Sequence, residues 1–463
     1  MVLHDTICAL STAQGMGAIA VIRLSGDEAF TILDACFKPV KKEASAVKAK
    51  GYSLLFGKIM DGNTVVDEVL VSFFKNPHSY TGQNVVEVSC HGSVYIQKQL
   101  LRLFQKLGAR MAEAGEFTLR AFANAKLDLT QAEAVADLIA SESKAAHQVA
   151  MQQMRGGFSL EIKELREQLI KFASLIELEL DFGEEDVEFA DRGQLHQLLA
   201  QIKSTLQTLL QSYQTGNVIK NGLPVAIVGA PNVGKSTLLN TLLNEDKAIV
   251  TEIAGTTRDA IEDELILGGI RFRFIDTAGI RATDDVVEQI GIKKTYAKIA
   301  ESSVVFYLFD AQANGFEERL PLIEQELEQL KSNSPHKTIL AIANKMDVAD
   351  KNQLQNLTFN YLGISAQSKT GMEALKKALL KEVDLAGLNS NQTIVTNERH
   401  FNALQTSLTD IEQIEQGLAN QISGDFLAQD IREALRHLGE IIGTVDVDQD
   451  ILGAIFSKFC IGK

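Results

Sequence analysis

The run Gly229-Ala230-Pro231-Asn232-Val233-Gly234-Lys235-Ser236 constrains this chain more than any other stretch. It enters from apolar Pro224-Val225-Ala226-Ile227-Val228 and leaves through Thr237-Leu238-Leu239-Asn240, so it reads as strand, glycine loop and helix start. The two glycines let backbone N–H groups turn inward around phosphates. Lys235 then reaches the terminal phosphoryl oxygens, and the Ser236 hydroxyl ligates Mg²⁺ at the positive end of the helix.

A second stretch selects the base. Apolar Leu340-Ala341-Ile342-Ala343 reads as a buried parallel strand that ends in Asn344-Lys345-Met346-Asp347. Asp347 can accept hydrogen bonds from guanine's ring N–H and amino group, a pair that adenine lacks. A site built around such a pair rejects the analogue without it, so the motif selects GTP over ATP. Downstream, Gly363-Ile364-Ser365-Ala366 ends another apolar segment, and Ser365 and Ala366 supply backbone contacts on the guanine side. In Phe274-Ile275-Asp276-Thr277-Ala278-Gly279, Asp276 belongs near Mg²⁺ and Gly279 donates its N–H to the γ-phosphate. Four motifs in this order outweigh the plain reading of Asp276 as a turn cap.

At 463 residues the chain has room for two to four domains. Its net charge of -15 excludes a uniformly basic nucleic-acid coat, so any RNA contact must be local or shared. Cys8, Cys36, Cys90 and Cys460 form no close pair, metal spacing or disulfide framework. With no signal pattern and no apolar run approaching a membrane span, a cytoplasmic protein is expected. Cys460 stands four from the end, but Gly462, Lys463 and the lack of a preceding basic cluster argue against prenylation.

Residues 1–118 alternate short strands (Thr6–Leu10, Ala18–Leu24, Val65–Phe74 after an Asp61-Gly62 turn, Val85–Val88) with helices near Asp27–Cys36 and Val94–Leu107, an α+β pattern. Lys38–Lys50 reads as a solvated loop. Residues 119–215 turn to helical periodicity, with an acidic segment over 161–191 that reads as a solvated face or, more sharply, an ionic partner surface. The P-loop domain spans 216–386. Residues 387–463 are helical again, with Ala403, Leu404, Leu408, Ile411 and Ile414 on one stripe and Ile431, Leu435, Leu438, Ile441 and Ile442 on another. The fold class expected is therefore multidomain α/β and α: an N-terminal α+β domain, a discontinuous all-α domain, and an inserted P-loop α/β G domain.

Beyond the GTPase motifs, three stretches resemble the MnmE (TrmE) family of tRNA-modification GTPases: Ala114-Gly115-Glu116-Phe117-Thr118-Leu119-Arg120-Ala121-Phe122, Asn124-Ala125-Lys126-Leu127-Asp128-Leu129-Thr130-Gln131-Ala132-Glu133-Ala134-Val135, and Phe459-Cys460-Ile461-Gly462-Lys463. The resemblance covers essentially the whole chain. It implies a folate-binding, dimerising N-terminal domain, and work with the flavoprotein MnmG on carbon five of the wobble uridine of tRNA, adding an aminomethyl or carboxymethylaminomethyl group. The one-carbon unit would come from a tetrahydrofolate derivative, methylene- or formyl-tetrahydrofolate. By matching position Arg23, Glu87, Lys126 and Lys463 form the folate set; a carboxylate suits the pterin's N–H donors and cations suit folate's glutamate tail. Each read singly is an ordinary surface or strand charge. Ala125 stands where the family commonly has glycine, and a catalytic role for Cys460 is left open against an incidental one.

The resemblance also assigns hydrolysis. Ile280 follows Gly279 where Ras-like enzymes carry a water-orienting Gln, and Glu288 aligns with the family's water-orienting glutamate. Asn232 resembles the asparagine that helps hold K⁺ between the phosphates, with carbonyls around Thr251, Ile253 and Thr256 completing the shell. The segment that also contains Glu252, Ala254 and Gly255 would wrap the nucleotide, and Thr257 would complete the Mg²⁺ shell. The cation would sit where an arginine finger otherwise acts, an effect of about 10³ to 10⁵ in rate, and would order best against a second G domain. GTP-driven pairing of G domains would then pull on the helical domains. A regulatory switch of the ribosome-assembly type is the competing reading; the absence of a C-terminal basic RNA-binding module disfavours it. GTP turnover measured in KCl should exceed that in NaCl, and equal rates would remove the cation from the mechanism.

Overall fold

The computed structural model describes residues 4–41, 43–181, 192–245, 263–275, 299–312, 315–355, 357–383, 393–420, 422–444, 449–457 and 459–462. The Thr251–Thr257 segment, Asp276–Gly279, Glu288 and Lys463 lie outside the described residues. The chain divides into two compact units, one of residues 1–140, 150–204 and 402–463, the other of residues 141–149 and 205–401.

The first unit opens with β1 (Ile7–Leu10), β2 (Ile19–Ser25), α1 (Ala29–Cys36), β3 (Phe37–Pro39), β4 (Ser53–Asp61), β5 (Thr64–Phe74), β6 (Val85–His91), α2 (Val94–Lys106) and β7 (Arg110–Met111). They build a seven-stranded sheet in the order β3-β4-β5-β6-β2-β1-β7, antiparallel except for the β1–β7 pair. Strict alternation decides the faces: Val69, Val71 and Phe73 of β5 point into a core with Phe30 and Leu33 of α1 and Leu100, Leu103 and Phe104 of α2. The opposite residues, Leu54 and Phe56 of β4 and Leu70 of β5, remain exposed.

Two details correct the loop reading of Lys38–Lys50. Phe37–Pro39 is a strand, and Ala46 is fully buried with its N–H donated to Asp34 Oδ1 at 2.7 Å. Lysine content hid a short edge strand and a pinned turn.

Next come α3 (Glu116–Ala123), α4 (Leu129–Ile139), α5 (Lys144–Met154), α6 (Gly157–Asp181) and α7 (Arg192–Asn221). The second unit's sheet is β8 (Leu223–Val228), β9 (Asp263–Leu267), β10 (Ile270–Phe274), β11 (Val304–Asp310), β12 (Thr338–Asn344) and β13 (Leu362–Gly363), with α8 (Lys235–Glu245), α9 (Phe316–Asn333), α10 (Lys351–Leu354) and α11 (Met372–Lys381) between strands. Its order, β13-β12-β11-β8-β10-β9, is parallel apart from the β9–β10 hairpin. Both faces are covered. Val225, Ile227, Phe306 and Leu308 enter one core and Ala226, Val228, Tyr307 and Phe309 the other, which is why these strands read as unbroken apolar runs.

The chain then returns to the first unit through α12 (Glu398–Ala419), α13 (Gly424–Ile442) and α14 (Gln449–Phe456). Helix α13 buries Leu427, Ile431, Ala434, Leu438, Ile441 and Ile442 and packs along α6, where Arg166 donates to Leu435 O at 3.2 Å.

The start of α3 explains the Gly115–Phe122 motif. Gly115 adopts φ 68°, and a Cβ there would stand 2.7 Å from Phe456 O, so no other residue fits. One turn later the fully buried Arg120 guanidinium donates to Glu116 Oε1 at 2.8 Å and to Asp5 Oδ1 at 2.7 Å. Arg110 donates to the same Glu116 at 2.6 and 3.0 Å. Burial alone would raise the Glu116 pKa, but Arg110, the Glu113 amide and Arg120 outweigh it and hold the carboxyl below its ordinary range. This stabilisation is present at neutral pH and lost as pH falls through the lowered pKa. Glu116→Gln should therefore cost about 3 kcal/mol at pH 7 by urea denaturation, because it strips charge from a buried pair. The difference from wild type should vanish in acid, where the native carboxyl is itself protonated.

Candidate functional site

The glycine loop between β8 and α8 has the backbone that its sequence demands. Gly229 lies at φ 145° with a would-be Cβ 2.0 Å from Leu308 O, and Gly234 lies at φ 94° with one 2.3 Å from Asn344 Nδ2. Asn232 between them takes φ 62° and is exposed. Lys235 Nζ donates across the loop to Gly229 O at 2.8 Å and Ala230 O at 2.9 Å. Ser236 follows in the first turn of α8, half-buried, with Thr237 exposed beside it. A cradle that neither glycine position could form with a Cβ, closed by one ammonium at a helix N-terminus, fits a polyphosphate with its Mg²⁺.

The base-side loops sit at the ends of β12 and β13. Asn344 is buried, and its carboxamide bridges them: Nδ2 donates to Val233 O in the glycine loop at 2.8 Å, and Oδ1 accepts from Ala366 N at 3.0 Å. Lys345 takes φ 64°, and its Nζ donates to Asp310 Oδ2 at 2.7 Å. Asp347 is exposed, leaving its carboxylate open to solvent-side ligands. Ser365 and Ala366 are buried; Thr241 of α8 donates to Ala366 O at 2.9 Å, tying the base loop to the phosphate helix. The structure thus brings together Asn232 to Thr237, Asn344, Lys345, Asp347, Ser365 and Ala366. Asp310 was not singled out from sequence: an aspartate ending an apolar strand carries no motif of its own.

A second constellation lies on the first unit's sheet. Arg23 of β2 and Glu87 of β6 are cross-strand partners, joined by Nε and Nη2 donating to Glu87 Oε1 at 2.9 and 2.8 Å. The guanidinium stands 5.4 Å from the Tyr80 ring and 5.5 Å from the ring of the fully buried Phe117, two cation–π contacts that fix the Arg23 head group beside Glu87. Tyr80 is set by a 2.8 Å hydrogen bond between its hydroxyl and Thr118 Oγ1. Lys126 reaches the loop that carries Tyr80, donating to Pro77 O at 3.1 Å. Ala125 takes φ 54°, so the backbone at this position asks for the glycine that the chain does not have. At the C-terminal tail Ile461 bridges Ala114, and a Cβ on Gly462 would meet Leu10 O of β1 at 2.2 Å. Cys460 is a free, exposed thiol. Tyr80, Phe117 and Thr118 were missed as supports of Arg23, since aromatic and hydroxyl side chains signal nothing until β2, β6 and α3 converge.

A P-loop, an Asn-Lys-x-Asp strand end and a mixed sheet of this order define a nucleotide-binding domain of the GTPase class, joined to an α+β sheet domain and a helical array. Two family models divide the chain between them: one described as MnmE helical domain matches residues 129–460, and one described as GTP-binding protein TrmE N-terminus matches residues 6–126. The tRNA modification GTPase MnmE of Flavobacterium johnsoniae is 56% identical over 470 residues, covering 100% of both chains. That of Bacteroides fragilis is 50% identical over 470 residues, covering 99% of this chain and 100% of its own. Among solved structures, the FeoB G-domain from Methanococcus jannaschii aligns at 27% identity and a TM-score of 0.25, over 35% of this chain and 97% of that one. The chain belongs to the MnmE family of tRNA modification GTPases, and is a GTPase.

Removing the Asn344 carboxamide orphans two buried backbone groups, each costing about 1–3 kcal/mol. Asn344→Ala should weaken binding of a fluorescent GDP analogue roughly thirtyfold, and unchanged affinity would remove its bridging role.

Proposed function

We propose that this chain is a K⁺-activated GTPase that works with the flavoprotein MnmG to modify carbon five of the tRNA wobble uridine, taking a one-carbon unit from methylene-tetrahydrofolate. The observation that carries this reading is the Arg23–Glu87 pair, held by Tyr80 and Phe117 in a chain that also holds a GTP cradle. The rings hold the guanidinium, and through it the Glu87 carboxylate, in one place, which suits a site that must meet a pterin's fixed N–H edge. Glu87 directs only Oε1 to Arg23, so its other oxygen can accept from pterin N–H donors. Lys126 and Lys463 would take the glutamate tail, and the packing of Gly462 against β1 supports a role for the tail's end there. Bound tetrahydrofolate would supply the carbon; the chain's own residues would orient it and keep its reactive face toward the uridine.

In the G domain, proposed to span residues 216–386, Lys235 neutralises charge on the terminal phosphoryl group and Ser236 and Thr257 hold Mg²⁺. Glu288 orients water, and Asn232 with the carbonyls of Thr251, Ile253 and Thr256 holds K⁺. The exposed Asn232, at φ 62° on the loop's outer edge, is where a cation bridging the phosphates would approach. Hydrolysis is coupled to pairing of two G domains, which resets the N-terminal and helical domains. The N-terminal domains (1–118) pair as a constitutive homodimer; exposed Leu54, Phe56 and Leu70, with Phe56 directly opposite Leu70, support an apolar contact on that sheet face. The helical domain comprises 119–215 and 387–463. Among the described residues no helix is long and apolar enough to cross a membrane.

The deciding experiment is mass spectrometry of nucleosides from total tRNA in cells with and without the gene. Aminomethyl-type uridines should disappear on deletion and return with the intact gene but not with Lys235→Ala. An unchanged profile in cells with no second copy would overturn the assignment.

A further inference from the structure

This chain carries 60 carboxylates, yet two stretches that pair in its N-terminal sheet, residues 44–60 and 69–86, contain none. They meet at one corner, where Tyr52 N–H donates to Phe73 O at 2.8 Å and a Cβ on Gly51 would stand 3.4 Å from Lys75 Cβ. Lys50, Lys75 and His78 are exposed there, and no ion pair engages any of them among the described residues. Further along the same edge, Lys38 and Lys58 face each other directly across β3 and β4, a like-charge pairing that disfavours the fold. Among the described residues only Lys58 of the two finds a carboxylate, Glu68, at 3.1 Å.

Beside Lys50 and across from Lys75 stands Tyr52. It is 74% exposed and held at φ 57°, a left-handed conformation that a tyrosine rarely adopts. Its ring meets Phe74 edge-on at 6.0 Å and 89°, which leaves a face open to solvent. From this corner the loop after β5 leads, within residues 75–80, from Lys75 through Pro77, where Lys126 docks, to Tyr80 beneath Arg23. Unneutralised cations around a presented aromatic ring match single-stranded RNA, which needs counter-charges for its phosphates and a platform for an unstacked base.

We propose that the Lys50–Tyr52–Lys75–His78 corner docks the single-stranded anticodon loop of a tRNA, one base stacking on Tyr52 and adjacent phosphates lying on Lys50 and Lys75. This rests on the tRNA-modification reading, and it places the RNA beside the loop whose Tyr80 supports the Arg23–Glu87 pair. The corner is local, which is how an acidic chain can hold a polyanion.

The test is binding of an unmodified tRNA transcript to the full-length protein, read by filter binding across a range of KCl concentrations. Lys50→Ala with Lys75→Ala should weaken binding at every salt concentration and flatten the dependence of log affinity on log salt by about 1.4, two contacts at ~0.7 each. Tyr52→Gly should weaken binding about tenfold by removing the stacking platform, and Tyr52→Trp should retain it. Tyr52→Gly also relieves the positive φ, so thermal stability should not fall and a folding defect cannot account for the loss. GTP turnover should be unchanged in all variants. Unchanged tRNA affinity and salt slope would overturn the proposal, as would an intact chain with no salt-dependent tRNA binding. A change in oligomeric state by analytical ultracentrifugation without loss of tRNA binding would instead mark the corner as a protein contact. None of these failures touches the nucleoside profile, which decides the parent reading separately.

Discussion

One buried carboxamide, that of Asn344, makes a single site of what would otherwise be two independent loops. It donates to the phosphate loop and accepts from the base loop, while the backbone carbonyl of Asn344 accepts from the Ala311 N–H at 2.9 Å at the end of β11. In a low-dielectric interior these bonds are strong, and leaving any one unmade is costly, so the loops hold their spacing before a ligand arrives. The Lys345–Asp310 pair and the Thr241–Ala366 bond extend the same brace to β11 and α8. The first unit relies on a comparable device of opposite chemistry. There a fully buried Arg120 gathers Asp5, Gln83 and Glu116, binding the chain before β1, the loop after β5 and the start of α3 around one cation.

Much of this was legible in the residues alone. Parallel strands buried on both faces show as unbroken apolar runs, and β8 and β12 were read so, whereas the equally apolar β11 was passed over because it leads into no motif. The stripes of α12 and α13 bury Leu404, Ile411, Ile414, Ile431, Leu438 and Ile441 as the 3.6-residue period requires. What escaped was whatever depends on cross-strand proximity. Strand β4 was not foreseen, although the Asp61-Gly62 turn before β5 called for a partner on its other side; Gly57, which lies against Phe37 and Lys38 O, interrupts its pattern. The β9–β10 hairpin was likewise unseen, because Gly268-Gly269 joins two strands rich in charged residues.

The two sites differ in how they could be found. The nucleotide cradle is local: its loop, lysine and helix start are consecutive, so spacing alone carried the chemistry. The Arg23 cluster is assembled from β2, β6, α3 and the loop after β5, with contributors up to 94 positions apart in sequence, from Arg23 to Phe117. No periodicity encodes such a meeting, and family resemblance alone pointed to Arg23, Glu87 and Lys126. Physical reading then supplied what the resemblance lacked: the rings that hold Arg23 in place, and the reason a glycine would suit position 125.

The tail packing of Ile461 on Ala114 and Gly462 on Leu10 has a consequence for biosynthesis. During translation the whole of residues 205–401 emerges before residues 402–463, which complete the first unit. Domains close as units when their residues are available. The GTP-binding unit can therefore mature on the ribosome while the first unit still lacks α12 to α14 and the contacts of Ile461 and Gly462 with the N-terminal sheet domain. The part of the molecule synthesised first is the part finished last.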